Sequence, residues 1–166
     1  MMNIGILGTG FGAYHASLLN NHPKVNRIMV FGRNETKLQK LKEELNVEVT
    51  QNIEDILLDP DVDIVDLCLP SQLHRSYAVD ALKHGKHVFC ETPVCFDLED
   101  ALLMQQAEKQ YSKKILVNQF IKFDPAWDHA LECFGGHSES LIPLESAVQA
   151  LKVAVEIKSR LGQAQR

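Results

Sequence analysis

The stretch Asn3-Ile4-Gly5-Ile6-Leu7-Gly8-Thr9-Gly10-Phe11-Gly12-Ala13-Tyr14-His15 constrains this chain more than any other. Ile4 to Leu7 is a short apolar run that reads as a strand. It ends in Gly8-x-Gly10-x-x-Ala13, and a helical pattern from Phe11 to Asn21 follows, closed by Pro23. A strand that passes through glycines directly into a helix is the G-x-G-x-x-A form of the dinucleotide fingerprint. The spacing gives Gly8 the tight turn, Gly10 the close approach of backbone to a pyrophosphate, and Ala13 the close packing of helix on strand. Thr9, Phe11 and Gly12 complete the loop, and the first amides of the helix face the phosphates with the positive end of its dipole. The plain alternative is a glycine turn that serves packing only. A site between strand and helix, at the start of an alternating pattern, favours nucleotide binding.

The remaining segments repeat that alternation. Arg27 to Phe31, Val47 to Val49, Ile64 to Leu69, His87 to Cys90 and Ile115 to Phe120 read as strands, the third of the six weak and near an edge. Between them lie helical patterns: Glu35 to Leu45 with Leu38, Leu41 and Leu45 on one face, a short one marked by Ile53, Ile56 and Leu57, 72–84 stopped by Gly85, and Asp97 to about Tyr111. Six strands alternating with helices imply an α/β fold, a doubly wound parallel sheet of order 3-2-1-4-5-6. Ligands then lie at the carboxyl ends of the strands, across the switch between the first and fourth.

Three loops at that edge carry the candidate chemistry. After the second strand comes Phe31-Gly32-Arg33-Asn34, with no carboxylate before Glu35. An acidic residue there bonds ribose hydroxyls, whereas an arginine pairs with a 2′-phosphate and stacks on adenine. Arg33 therefore favours NADP, with NAD possible; the bland reading is a solvated turn residue. After the fourth strand come Leu69 and Pro70, with Ser71 able to cap the next helix and His74 facing either the cleft or a local backbone group. His74 receives no catalytic role. After the fifth strand, Glu91-Thr92-Pro93 stands beside the expected nicotinamide, with Asn118 and Gln119 near the same side. The cofactor-contact set expected from sequence is thus Gly8, Thr9, Gly10, Phe11, Gly12, Ala13, Arg33, Leu69, Pro70, His74, Glu91 and Thr92. Lys86 lies at the opposite, amino end of a strand and reads as solvated, and His15 as packing against the phosphate loop.

Composition excludes several partners. With 166 residues, 45% hydrophobic, 23% charged and a net charge of -5, the chain has no basic block for nucleic acid or an acidic membrane. The cysteines at 68, 90, 95 and 133 lack zinc-ligand spacing, so no metal is expected, and Cys68 and Cys90 fall in buried strands. Neither a signal peptide nor a bilayer-spanning run is read, and a reducing cytoplasm is the expectation.

With these residues in place, the chain resembles the Gfo/Idh/MocA oxidoreductases, a family named for glucose–fructose oxidoreductase and inositol dehydrogenase. The matching stretches are Gly8-x-Gly10-x-x-Ala13-x-His15, Gly32-Arg33, Leu69-Pro70-x-x-x-His74, and Ala81-Leu82-x-x-Gly85-Lys86-His87-Val88-Phe89-Cys90-Glu91-Thr92-Pro93. The similarity continues through Asn118-Gln119-Phe120 and Phe123-Asp124-Pro125-Ala126-Trp127. It implies NAD(P) binding, contact of Glu91 with the ribose, and a sugar, cyclitol or related alcohol as substrate.

Two departures qualify it. The family's E-K-P lysine, which supports proton transfer beside the nicotinamide, is Thr92 here. Relatives also continue into a large open sheet that supplies the substrate pocket; here Cys133-Phe134-Gly135-Gly136 leads to a helix over 143–161 resembling their far end. The expected organisation is a dinucleotide domain over 1–122 and a remnant over 123–166. In the helix, Leu144, Val148, Leu151 and Val155 form one apolar stripe, suited to packing back or to pairing with a second copy. Trp127 and Phe134 are candidates for self-association, and a homo-oligomer is expected. No catalytic residue is assigned: Tyr77, His74 or a water would serve a proton route, and nothing selects one. Three functions remain open: a dinucleotide-binding protein without the lysine-assisted reaction, an NADP-dependent polyol oxidoreductase completed by another subunit, and a partner-binding regulatory protein.

Overall fold

The computed structural model describes residues 1–118 together with Cys133, Gly135, Leu144, Glu145, Val148 and Gln149. Six strands form one parallel sheet: β1 (Met2–Leu7), β2 (Val25–Phe31), β3 (Glu48–Thr50), β4 (Ile64–Leu67), β5 (His87–Glu91) and β6 (Ile115–Asn118). Their order is β3-β2-β1-β4-β5-β6, the one expected from the alternation. Helices α1 (Phe11–Leu19), α2 (Glu35–Leu45), α3 (Glu54–Leu57), α4 (His74–Lys83) and α5 (Leu98–Tyr111) connect them, with a 3-10 turn at Ser71–Leu73 leading into α4.

The strands are apolar on both faces, as parallel strands covered by helices must be. Alternation along each strand sorts side chains into two cores. Ile4, Ile6, Ile28, Val30, Ile64, Phe89 and Leu116 meet Ala16 and Leu19 of α1 and Leu38 and Leu41 of α2 on one face. Leu7, Val65, Leu67, Val88, Ile115 and Val117 meet Ala78, Leu82, Ala101 and Met104 of α4 and α5 on the other. Leu144 and Val148 join this second core, so the described part of the late apolar stripe packs back onto the sheet. Leu151, Val155, Trp127, Phe134, Gln119 and Phe120 lie outside the described residues. Cys68 falls just past β4 and is only half-buried, whereas Cys90 is in β5 and fully buried.

Helix ends follow sequence chemistry. Asn34 caps α2 by accepting the Lys37 amide at 2.9 Å, and Asp97 caps α5 by accepting that of Asp100 at 2.8 Å. By contrast α1 begins at Gly10 with no side-chain cap and no acidic residue in its first turn.

Beside Ala13, which packs against the core, Gly12 makes the closest approach to the sheet. A Cβ added at Gly12 would stand 2.7 Å from Ile6 Cγ2 and 3.4 Å from Cys68 Cβ, so Gly12 is where α1 touches the sheet. Ala13 is half-buried at the border of the same core. Gly8 has φ +124°, and a Cβ there would lie 2.5 Å from the Cys68 carbonyl oxygen, which reserves the position for glycine. The substitution Gly12→Ala is expected to destabilise the fold by about 1–3 kcal/mol, the range for overpacking a filled interior. Urea denaturation would show a lowered midpoint at unchanged slope; a midpoint equal to the parent's would mean that α1 moves outward without penalty.

Candidate functional site

The carboxyl ends of β1, β2, β4 and β5 deliver the expected residues to one edge of the sheet. Gly10 is exposed, and a Cβ placed on it would meet no protein atom within 4 Å. Beside it stand the uncapped first amides of α1. An open space bounded by a helix N-terminus without competing carboxylates is what a pyrophosphate requires, so these residues fit the group. Arg33 is exposed and engages no carboxylate among the described residues; its backbone carbonyl accepts the Gln51 amide at 3.3 Å. Pro70 and Thr92 are exposed, while Leu69 is half-buried.

His74 is not in the cleft. It is 1% exposed, with Nε2 at 2.8 Å from the Leu69 carbonyl and Nδ1 at 3.1 Å from that of Pro93. The Cys90 thiol lies 3.3 Å from Nδ1. The ring lies between a carbonyl of the loop after β4 and one of the loop after β5, with a protonated nitrogen donating to the carbonyl it faces, so His74 packs the two loops together. His74 therefore shapes the rim through backbone.

The main polar feature beneath this edge joins four elements. His15 on α1 donates from Nδ1 to Asp66 of β4 at 2.7 Å and from Nε2 to Glu91 of β5 at 3.1 Å. Asn118 of β6 donates to the same Glu91 oxygen at 2.6 Å, and the Thr92 amide donates to the other at 3.2 Å. Register explains the convergence. Asp66 pairs with Phe89, Glu91 pairs with Asn118, and alternation turns Asp66, Phe89, Glu91, Leu116 and Asn118 towards the face that α1 covers. His15 is 2% exposed, Asp66 0% and Glu91 6%.

Burial alone would strip the proton from His15, yet the hydrogen bonds and charges of Asp66 and Glu91 outweigh it and raise the ring to about 10. Burial likewise pushes Glu91 up, but His15 and Asn118 bring it below the usual carboxylate range. Asp66 is raised by burial against the pull of His15. Both ring nitrogens donate only in the imidazolium, so geometry and electrostatics agree on the charged ring. It neutralises one of two carboxylates that would otherwise face each other without solvent.

His15, Asp66 and Cys68 also offer three ligand atoms within 4.8 Å of one another. The 2.7 Å separation of His15 Nδ1 and Asp66 Oδ2 is a charge-assisted hydrogen bond. Two ligands on one tetrahedral ion, at bond lengths of about 2.0 Å, stand roughly 3.3 Å apart. Burial also raises the Cys68 thiol and disfavours the thiolate a metal needs.

Sequence reasoning placed His15 against the loop and did not assign Asp66. The available signal was an aspartate inside the apolar run Ile64-Val65-Asp66-Leu67. The reading of Lys86 as solvated is corrected. It does lie at the amino edge, but it is 2% exposed and its ammonium donates to the carbonyls of Asp59 and Val62. That edge also carries an open polar pocket of about 270 Å³, lined by Asn20, Asn26, Arg27, Asn46 and Glu48, far from the phosphate loop.

The charge state of His15 has a measurable consequence. A folded-state value raised to about 10 from 6.5 gives stability that is complete below 6.5 and lost as pH rises through about 10. The groups facing the ring include Asp66 and Cys68 from β4 and the loop after it, Glu91 and Phe89 from β5, and Phe11 and Tyr14 from its own helix. Nitrogen-15 NMR of labelled histidine should show both His15 ring nitrogens protonated at pH 8. A neutral ring at that pH would contradict the assignment.

Comparison with known proteins places this geometry. The Gfo/Idh/MocA oxidoreductase family, with its NAD-binding Rossmann fold, matches residues 2–119. An uncharacterised oxidoreductase of Synechocystis sp. is 28% identical over 136 residues, which is 81% of this chain and 37% of that protein. The crystal structure of scyllo-inositol dehydrogenase from Lactobacillus casei, with NAD(H) and scyllo-inositol bound, superposes with a TM-score of 0.66 at 30% identity, over 71% of this chain and 36% of that one. Biliverdin reductase from Synechocystis sp., in complex with biliverdin and NADP+, superposes with a TM-score of 0.66 at 26% identity, over 70% and 37%. The chain spans little more than a third of the length of these relatives. With its fingerprint loop, its strand order and the match over most of its length, the chain belongs to the Gfo/Idh/MocA oxidoreductase family.

Proposed function

We propose that residues 1–118 form an NADP-preferring dinucleotide site that lacks the lysine-assisted proton transfer of the family. The observation that carries the reading is the open space at Gly10 in front of an uncapped α1, beside an unpaired-by-carboxylate, exposed Arg33. Gly8, Thr9, Gly10, Phe11, Gly12 and Ala13 would cradle the pyrophosphate through backbone amides. Arg33 would meet a 2′-phosphate, which a carboxylate at that turn would repel. Leu69, Pro70 and Thr92 would line the path towards the nicotinamide, with His74 and Glu91 fixing the loops behind them.

When bound, the dinucleotide supplies hydride chemistry, and the protein supplies orientation and a proton route. Thr92 is exposed at the end of β5, where relatives carry the lysine, and its hydroxyl is a poor acid–base group at neutral pH. A polyol oxidoreductase whose pocket is completed by another subunit is the second reading. It is favoured by the likeness to the scyllo-inositol enzyme, whose own structure holds a polyol and NAD(H).

Calorimetric titration with NADPH and NADH tests the first reading. The parent should bind NADPH more tightly than NADH, and Arg33→Ala should weaken NADPH about tenfold, near 1.4 kcal/mol, while leaving NADH within about twofold. Gly10→Ala should weaken both cofactors together, since its methyl group enters the shared pyrophosphate space. Binding of neither cofactor by the parent would overturn the proposal.

A further inference from the structure

We infer that His15 is a positioning residue of the dinucleotide site, clamping Asp66 of β4 and Glu91 of β5 to α1 so that the Glu91–Thr92 edge stays fixed relative to the phosphate loop. The inference rests on the dinucleotide reading above and adds a residue that reading does not use.

The connection is continuous in bonded atoms. Gly10, Phe11 and Gly12 begin the helix that carries His15 one turn later. His15 Nε2 holds one oxygen of Glu91, and the other oxygen of that carboxylate holds the Thr92 amide. Asn118 secures the shared oxygen from β6. A displacement of α1 would therefore move Glu91 and, through it, the backbone at the end of β5. In the opposite direction Nδ1 is fixed to Asp66, which is fully buried. The ring is held on both sides and cannot follow one partner without losing the other.

A purely structural explanation accounts for less. Buried ion networks are seldom the most stable filling for such a space, and apolar side chains of similar volume often do as well or better. Here the His15–Asp66 and His15–Glu91 pairs gather under the carboxyl edge, on three of the elements that flank the proposed cofactor. The adenosine end is attached differently: Arg33 and Gly32 follow β2, where the Arg33 carbonyl accepts from the Gln51 side chain and Thr9 and Leu38 fill the space beside Gly32. Loss of His15 should consequently act on the nicotinamide half of the site and spare the adenosine half.

That asymmetry gives a readout that a general loss of stability would not produce. NADPH and adenosine 2′,5′-bisphosphate, which carries only the adenosine half with its 2′-phosphate, would be titrated into the full chain and into His15→Gln. Expected is a loss of about tenfold or more for NADPH and no more than about twofold for the bisphosphate. Should His15→Gln fail to fold by circular dichroism, Glu91→Gln replaces it, keeping the side-chain shape and leaving Asp66 to hold the ring; the same split is expected. Equal weakening of both ligands, or weakening of neither, overturns the inference while the dinucleotide reading stands. Failure of the parent to bind either ligand overturns that reading itself.

Discussion

A charged ring buried between two carboxylates governs how the carboxyl edge of this sheet is assembled. Removing an ion from water is expensive, and the expense is offset only when every donor and acceptor is matched at good geometry. His15 meets that condition with two donors and two acceptors, and no buried side-chain nitrogen or oxygen among the described residues lacks a partner. Matching demands that α1, β4, β5 and β6 hold their mutual positions. The Gly12–Ile6 contact sets how far α1 stands from the sheet, and that distance in turn allows the His15 ring to reach both strands. Sterics and electrostatics thus act on the same helix one turn apart.

The two edges of the sheet divide the polar work. At the amino edge Arg27 binds Glu48 through two contacts of 2.9 Å and Asp59 at 2.7 Å, while Lys86 binds carbonyls of the loop before β4. These cations are spent on the protein's own acceptors and close the strand starts. At the carboxyl edge the exposed groups, Gly10, Arg33, Pro70 and Thr92, have kept faces towards solvent, and the charged groups are withdrawn beneath them. A ligand site needs such an arrangement: open polar atoms in front and fixed ones behind.

Local signals made the fold legible in the sequence. The fingerprint after β1 and the glycine ending α4 each act within a few residues, so spacing alone exposed them. Strand order followed from the dinucleotide-binding fold that the fingerprint and the alternation together imply. The network at His15 was opaque for a corresponding reason. Its members stand 51 and 76 residues away along the chain, and only register and period-two alternation turn them towards one another. An aspartate inside an otherwise apolar strand was its single local trace. The tight contact of Gly12 with Ile6 was not visible, because the fingerprint names Ala13 and not which residue of the first turn lies closest to the strand. Lys86 was misread because its place at the amino edge was visible, but the carbonyls of Asp59 and Val62 that enclose its ammonium were not.

Thr92 brings these strands of reasoning together. At position 92 the side chain is exposed, while the neighbouring Glu91 is buried and its carboxylate answers to His15 and Asn118. Both Glu91 oxygens are committed inward, to the ring, the amide of Asn118 and the Thr92 backbone. The Thr92 side chain is neutral, and among the described residues the carboxylate network behind it is fully partnered. Position 92 and the network behind it are thus distinct features of one edge: the first is a single exposed side chain, the second four buried ones, His15, Asp66, Glu91 and Asn118.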